Sequence, residues 1–175
     1  MSILKIARMG HPVLRVEARA LDRTQLRSAP VQKLIDDMIE TMAEYRGVGL
    51  AAPQVHEEWR LFVALLDPDD KDDDDKPPTV IVNPEIIPTG TELVEGWEGC
   101  LSIPDIRGRV PRARALTLRA LNRKGERIEL SLQDFPARVV QHETDHLDGI
   151  LFFDRMASFE SLTFLDEYAR FWAKD

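Results

Sequence analysis

An α+β domain is what the sequence predicts, with antiparallel sheets packed around a central helix and further helices in the N-terminal half and at the C-terminus. Three observations lead there. Short segments with strand character, 61–66, 79–82, 115–121 and 127–132, follow one another without the intervening helices that a parallel sheet needs. Apolar residues at helical spacing are confined to a segment in the N-terminal half and two near the end of the chain. Finally, 175 residues, 43% of them apolar, suffice for one proper core, so residues 1–175 are expected to form a single domain.

The first helix is expected over 30–46. Pro30 suits an opening turn, Val31, Leu34, Ile35, Met38, Ile39 and Met42 keep the period, and Gly47 can close the end. A run of small residues follows at 47–55, too glycine-rich for a helix and too apolar for an ordinary surface loop. Such a run implies that something approaches this backbone closely. Asn122, Arg123, Lys124 and Gly125 read as a hairpin turn joining the last two strands. Residues 67–76 are dominated by aspartates that repel one another and cannot bury, so a mobile solvated loop is expected there. A helix over 136–147 has Asp134 as its cap and Gly149 at its end. The last helix is expected over 158–174, docking through Phe159, Leu162, Leu165, Ala169 and Trp172.

A net charge of −8 and a pI near 5.1 argue against a nucleic-acid partner. No apolar run reaches the roughly 18 residues that span a bilayer, and the first residues lack the pattern of a signal peptide. A cytoplasmic, unprocessed chain is expected. The single cysteine, Cys100, cannot form a disulfide within the chain and is available for chemistry in a reducing compartment.

The sharpest chemical signal is His142-Glu143-Thr144-Asp145-His146, an H-E-x-x-H sequence inside the expected helix. Four residues is just over one turn, so both imidazoles project from one face and can share an ion, leaving Glu143 to act on a nearby water as general base and then acid. A catalytic ion normally takes three protein ligands and keeps one position open. Cys100, flanked by Gly99, is the strongest candidate for the third, with His11 and His56 as rivals.

Three ordered segments then carry a resemblance. Residues 47–54 (GVGLAAPQ), 98–102 (EGCLS) and 141–147 (QHETDHL) are similar to the three motifs of the peptide deformylases, and the likeness spans essentially the whole chain. It implies that Cys100, His142 and His146 hold the metal and that Glu143 handles the proton. The side-chain amide of Gln54 and the backbone N–H of Leu101 would stabilise the oxyanion. By the same resemblance Gly49, with Val48, binds the substrate backbone, and Glu98 and Arg107 line the site near a methionine pocket to which Leu101, Val139 or Val140 contribute. The implied metal is iron(II), while a thiolate with two imidazoles also admits zinc, nickel or cobalt. The implied substrate is the formyl-methionyl end of a nascent polypeptide: hydroxide generated at the metal attacks the formyl carbonyl, and formate leaves.

Two departures from that pattern stand out, Thr144 inside the motif and Gly96-Trp97 before the cysteine. The family habit also implies a monomer. In some relatives the C-terminal helix helps dock on the ribosome, whereas here Glu160, Asp166 and Glu167 against Arg170 and Lys174 imply at most a weak association. Two other readings compete: an internal peptidase taking its third ligand downstream at Glu160 or Glu167, and a structural metal site.

Overall fold

The computed structural model describes residues 2–66 and 77–173, so the acidic stretch at 67–76 lies outside the described residues. The α+β expectation is met. A helical turn, α1 (Arg23–Leu26), leads into α2 (Ala29–Glu44) and the edge strand β1 (Gly49–Ala51); β2 (Leu61–Ala64) and β3 (Thr79–Pro88) follow. A long hairpin, β4 (Leu93–Cys100) and β5 (Ile103–Ala113), precedes β6 (Ala115–Leu121), β7 (Arg127–Gln133) and α3 (Asp134–Leu147). The chain finishes with β8 (Thr163–Phe164) and α4 (Leu165–Phe171). Every strand pairing is antiparallel, giving a five-stranded sheet in the order β1-β2-β3-β6-β7 and a three-stranded sheet β4-β5-β8.

The period-2 alternation of strands explains how the larger sheet holds a helix on each face. In β2, Leu61 and Val63 turn toward Ile35, Met38 and Met42 of α2, while Phe62 and Ala64 turn toward Ala137, Val140 and Leu147 of α3. All these side chains are buried, and β2 is therefore apolar throughout. A third cluster, with Val13, Leu14, Ile103, Val110 and Phe152 around Cys100, closes the hairpin against the 3-10 turn Phe152–Arg155. The metal-binding helix of the sequence reading thus sits between the two sheets.

Boundaries differ where tertiary context overrules local pattern. Helix α2 stops before 46 because Arg46 takes a left-handed conformation, φ 53°. Strand β3 runs on past 82 through a bulge at Asn83, φ 50°, and so accommodates Pro84. The β4–β5 hairpin was not expected, since its glycines and charges blur the alternation. Asp134 does not cap α3. Gln133 holds that place, and Asp134 is the first helical residue, φ 54°, paired with Arg114.

The C-terminal expectation is the largest miss. In place of a helix over 158–174, Thr163 and Phe164 pair with Arg107 and Ile106 as β8, and among the described residues of that stretch only Leu165–Phe171 is helical. Phe159 and Phe164 are 67% and 64% exposed, and α4 buries no residue. Of the expected docking residues Trp172 does make contact, its ring 5.9 Å from Trp97 of β4, joined by Tyr168 at 5.0 Å. Among the described residues no helix is long and apolar enough to cross a membrane.

Gly149 ends α3 as the sequence suggests, at φ 70°, with Ile150 N–H returning to the Asp145 carbonyl at 2.8 Å. A Cβ there would lie 2.8 Å from the Arg15 carbonyl carbon, whereas Gly90, φ 81°, has open space around it. Gly90→Ala should therefore cost only the backbone strain, about 1 kcal/mol. Gly149→Ala should cost clearly more, because backbone must also shift. Urea denaturation of both variants checks the ordering.

Candidate metal centre

Three elements meet at one point. Cys100 ends β4 where the chain turns toward β5, while His142 and His146 lie one turn apart on α3 with ring centroids 5.0 Å apart. The Cys100 Sγ is 3.2 Å from His146 Nε2, and one donor atom from each of the three residues falls within 4.8 Å of the others. All three side chains are buried. Burial opposes ionisation of the thiol, yet the imidazoles of His146 and His142 beside it outweigh that cost and hold its pKa well below the ordinary value. A buried sulfur that ionises only because positive charge faces it is a fitting donor for a divalent cation.

His142 is aimed by Glu98. Its Nδ1 lies 2.9 Å from Glu98 Oε2, which commits that nitrogen and leaves Nε2 to face the sulfur. Burial alone would push the Glu98 carboxyl up. Arg112 and His142 reverse this and hold it well below the usual carboxylate range. Arg112 grips Glu98 in two bonds, 2.9 and 3.0 Å, and reaches Asp145 of α3 at 2.5 Å, which Arg155 also holds at 2.7 Å. Arg138 adds a further bond to Glu98 at 2.8 Å and hydrogen-bonds the carbonyls of Val94 and Val110.

Glu143 has a different environment. Its Oε2 has no hydrogen-bond partner among the described residues, and burial pushes its pKa up to about 7, against the opposing pull of His142 and His146. Gly49 passes directly over it: a Cβ on Gly49 would stand 2.3 Å from Glu143 Oε1. The small-residue run at 47–55 is thus explained by the close approach of β1 to α3. Gln54, on the 3-10 turn Ala52–Val55, accepts the Ala51 N–H through Oε1 at 2.9 Å. Its Nε2 points at Ser102 Oγ (3.2 Å) and Cys100 Sγ (3.5 Å).

A cleft of about 720 Å³ opens over these groups. Its lining includes Val48, Gly49, Gln54, Glu98, Cys100, Leu101, Arg107, Val139, His142 and Glu143, so the expected site residues come together there, with His146 behind His142. Val140 does not line it; it is buried between α3 and the larger sheet. His11 and His56 meet edge to face 4.7 Å apart at the surface and are no part of the donor cluster. Nor do Glu160 or Glu167 join it, and Glu167 pairs with Arg170. Arg107 covers Gly99, where a Cβ would come 2.1 Å from its Nη1, and Arg138 likewise covers Gly96.

The sequence reading missed Arg112, Arg138, Asp145 and Ser102. A signal existed for the first: Gly108, Val110 and Arg112 occupy successive inward positions of β5, and an arginine at an inward position demands a buried anion.

A buried thiolate-and-imidazole donor set, with an unpartnered carboxylate beside it at the head of a cleft, defines a metal-dependent hydrolase centre. The polypeptide deformylase family matches residues 3–161. A peptide deformylase 2 from Nostoc sp. is 42% identical over 175 residues, covering 99% of this chain and 97% of that protein. Among solved structures, a class I type b peptide deformylase from Acinetobacter baumannii superimposes with a TM-score of 0.82 at 41% identity, over 89% of this chain and 100% of that one. The same enzyme bound to Met-Ala-Ser gives 0.80 and 42%, with equal coverage. The chain belongs to the polypeptide deformylase family.

Two variants test this geometry. Gly49→Ala should displace the Glu143 carboxylate by about 1 Å and cut kcat/KM roughly a hundredfold, while bound metal measured by mass spectrometry stays stoichiometric. Glu98→Gln should weaken metal affinity by roughly 10 to 100-fold in chelator competition, since His142 loses its orienting partner. The same variant has a pH signature. Folded Glu98 gives up its proton well below the unfolded value of about 4.3, so it stabilises the fold above that pH and the contribution drains away as the pH falls through the folded value. Urea midpoints should fall less steeply with acid in Glu98→Gln than in the parent.

Proposed function

We propose that this chain hydrolyses the N-formyl group from the formyl-methionine that begins newly made polypeptides, and that residues 1–175 serve as one catalytic domain for that reaction. One observation carries the reading: Cys100 meets the imidazoles of His142 and His146 beside a buried, unpartnered Glu143 at the head of a peptide-sized cleft, in a chain of this family. The Acinetobacter relative binds Met-Ala-Ser, the peptide that deformylation of formyl-Met-Ala-Ser leaves behind.

Cys100, His142 and His146 would hold a divalent ion, iron(II) in our reading, with zinc, nickel or cobalt as substitutes. When bound, the ion supplies Lewis acidity that brings the pKa of a water toward 7. Glu143, with a carboxyl pushed up to about 7, would accept a proton from a water beside it near neutral pH as that water's oxygen adds to the formyl carbon, and would return the proton to the amine nitrogen as the formyl C–N bond breaks. Formate and a free N-terminus leave. Gln54 Nε2, held toward the sulfur by its bonds at both ends, and the Leu101 N–H donate to the oxygen on which charge develops; a donor of this kind is worth about 10² to 10³ in rate. Among the described residues strand β1 is the edge of its sheet and pairs only with β2, so an extended peptide can add alongside Val48 and Gly49 as another strand. Leu101 and Val139 supply apolar surface for methionine, and Glu98 acts through His142.

The setting follows from the same reading: a monomer working in the cytoplasm on nascent chains. Helix α4 carries Asp166 and Glu167 against Arg170, a mixed surface that supports no more than weak association with the ribosome.

Incubation with formyl-Met-Ala-Ser should release formate, with unformylated casein left intact. Glu143→Ala should lose at least about a hundredfold in turnover with its metal retained. Casein cleavage would overturn the reading in favour of a peptidase. No turnover by metal-loaded parent protein would leave a structural site. If iron is the native ion, enzyme kept in air should lose activity through oxidation of the ion or of Cys100, and nickel-loaded enzyme should decay more slowly. Equal decay with every metal would count against iron.

A further inference from the structure

The outer part of the cleft has a charge opposite to that of the protein. Although the chain carries a net charge of −8, Lys5, Arg8, Arg46 and Arg107 all face this one cavity, and the sole carboxylate in its lining outside the Glu98 and Glu143 pair is Asp105. The four cations come from three separate stretches: Lys5 and Arg8 from the extended segment before the first 3-10 turn, Arg46 from the connection between α2 and β1, and Arg107 from β5. Among the described residues none of the four has a carboxylate within ion-pair distance, whereas arginines elsewhere, such as Arg15, Arg60, Arg114 and Arg119, are paired.

Position adds direction to this. Cys100, Gln54 and Glu143 are buried, while Lys5, Arg8 and Arg46 are exposed, so the formyl end of a substrate lies at the buried end and the chain beyond methionine leaves past the cations. A cavity of about 720 Å³ takes several residues rather than one side chain. Resting on the proposed function above, we propose that Lys5, Arg8, Arg46 and Arg107 are specificity-determining residues that favour formyl-methionyl peptides bearing carboxylates in the first residues after methionine. An acidic protein otherwise repels such peptides. A local positive rim focuses its field on the cleft mouth, speeds encounter and holds the downstream carboxylates, and exposed charges of this kind act mainly on association and are screened by salt.

The test uses C-terminally amidated peptides, so that no terminal carboxylate confuses the result. Formate release is measured for formyl-Met-Ala-Asp-Asp-amide and formyl-Met-Ala-Lys-Lys-amide with the metal-loaded full chain. The expected ratio of kcat/KM, acidic over basic, is about tenfold at 20 mM salt, carried by KM, and falls to within about twofold at 0.5 M. In Arg8→Glu/Arg46→Glu the ratio at low salt should drop to one or below. Because the ratio is internal to each variant, a general loss of stability leaves it unmoved. Equal values for the two peptides at low salt, a preference indifferent to salt, or an unchanged ratio in the double variant would each overturn the proposal. Turnover of neither peptide would instead overturn the deformylase reading itself.

Discussion

Everything at the metal centre depends on one buried carboxylate. Glu98 receives Arg112 and Arg138 on one side and His142 on the other, and so ties the β4–β5 hairpin to helix α3 at the place where sulfur and imidazoles must meet. Burying these charges is costly, and such a cluster is no net gain in stability over apolar packing. What it provides is position. A thiolate on a strand and two imidazoles on a helix have no covalent reason to converge, and the arginine bridge from Glu98 to Asp145 fixes the hairpin against both ends of the H-E-x-x-H turn.

The same low-dielectric interior divides two glutamates into different roles. Glu98, surrounded by guanidinium groups, remains an anion at any ordinary pH. Glu143, on α3 next to His142, has no partner for one oxygen and is shifted to near neutrality by desolvation. Gly49 enforces this difference. With no side chain, it lets β1 close directly over the Glu143 carboxylate.

Much of this was legible in the sequence because the chemistry is local. The helical spacing of His142 and His146 names two donors, Cys100 stands as the strongest third against His11 and His56, and α2, β6 and α3 announce themselves by period. The remainder depended on distant partners. Residues of the β4–β5 hairpin are chosen to meet Arg138, Arg107 and Met156 over Gly96, Gly99 and Gly108, so they carry little alternation of their own. Val140 reads like a pocket residue because it stands beside the motif, but the 100° step of the helix turns it to the sheet. The C-terminal segment misled for a related reason. Helical spacing of Phe159, Leu162 and Leu165 was real, yet β5 offered an open edge, and Thr163 with Phe164 took backbone bonds there in preference to a solvated helical turn.

That edge pairing also shapes how the cleft is built. Its floor belongs to α3 and β4, fixed by the charge network, whereas its walls come from β1, the N-terminal segment, Pro104 and Asp105 at the start of β5 and Leu165 at the start of α4. Substitutions in the walls alter contacts with a peptide without passing through Glu98, because Lys5, Arg8, Arg46 and Leu165 share no hydrogen bond or ion pair with the floor among the described residues. Chemistry and selectivity are therefore carried by separable parts of the fold, and sites without shared partners contribute independently. Wall sequence can drift toward one class of peptide while the buried donor set, whose every member is held by another, stays fixed.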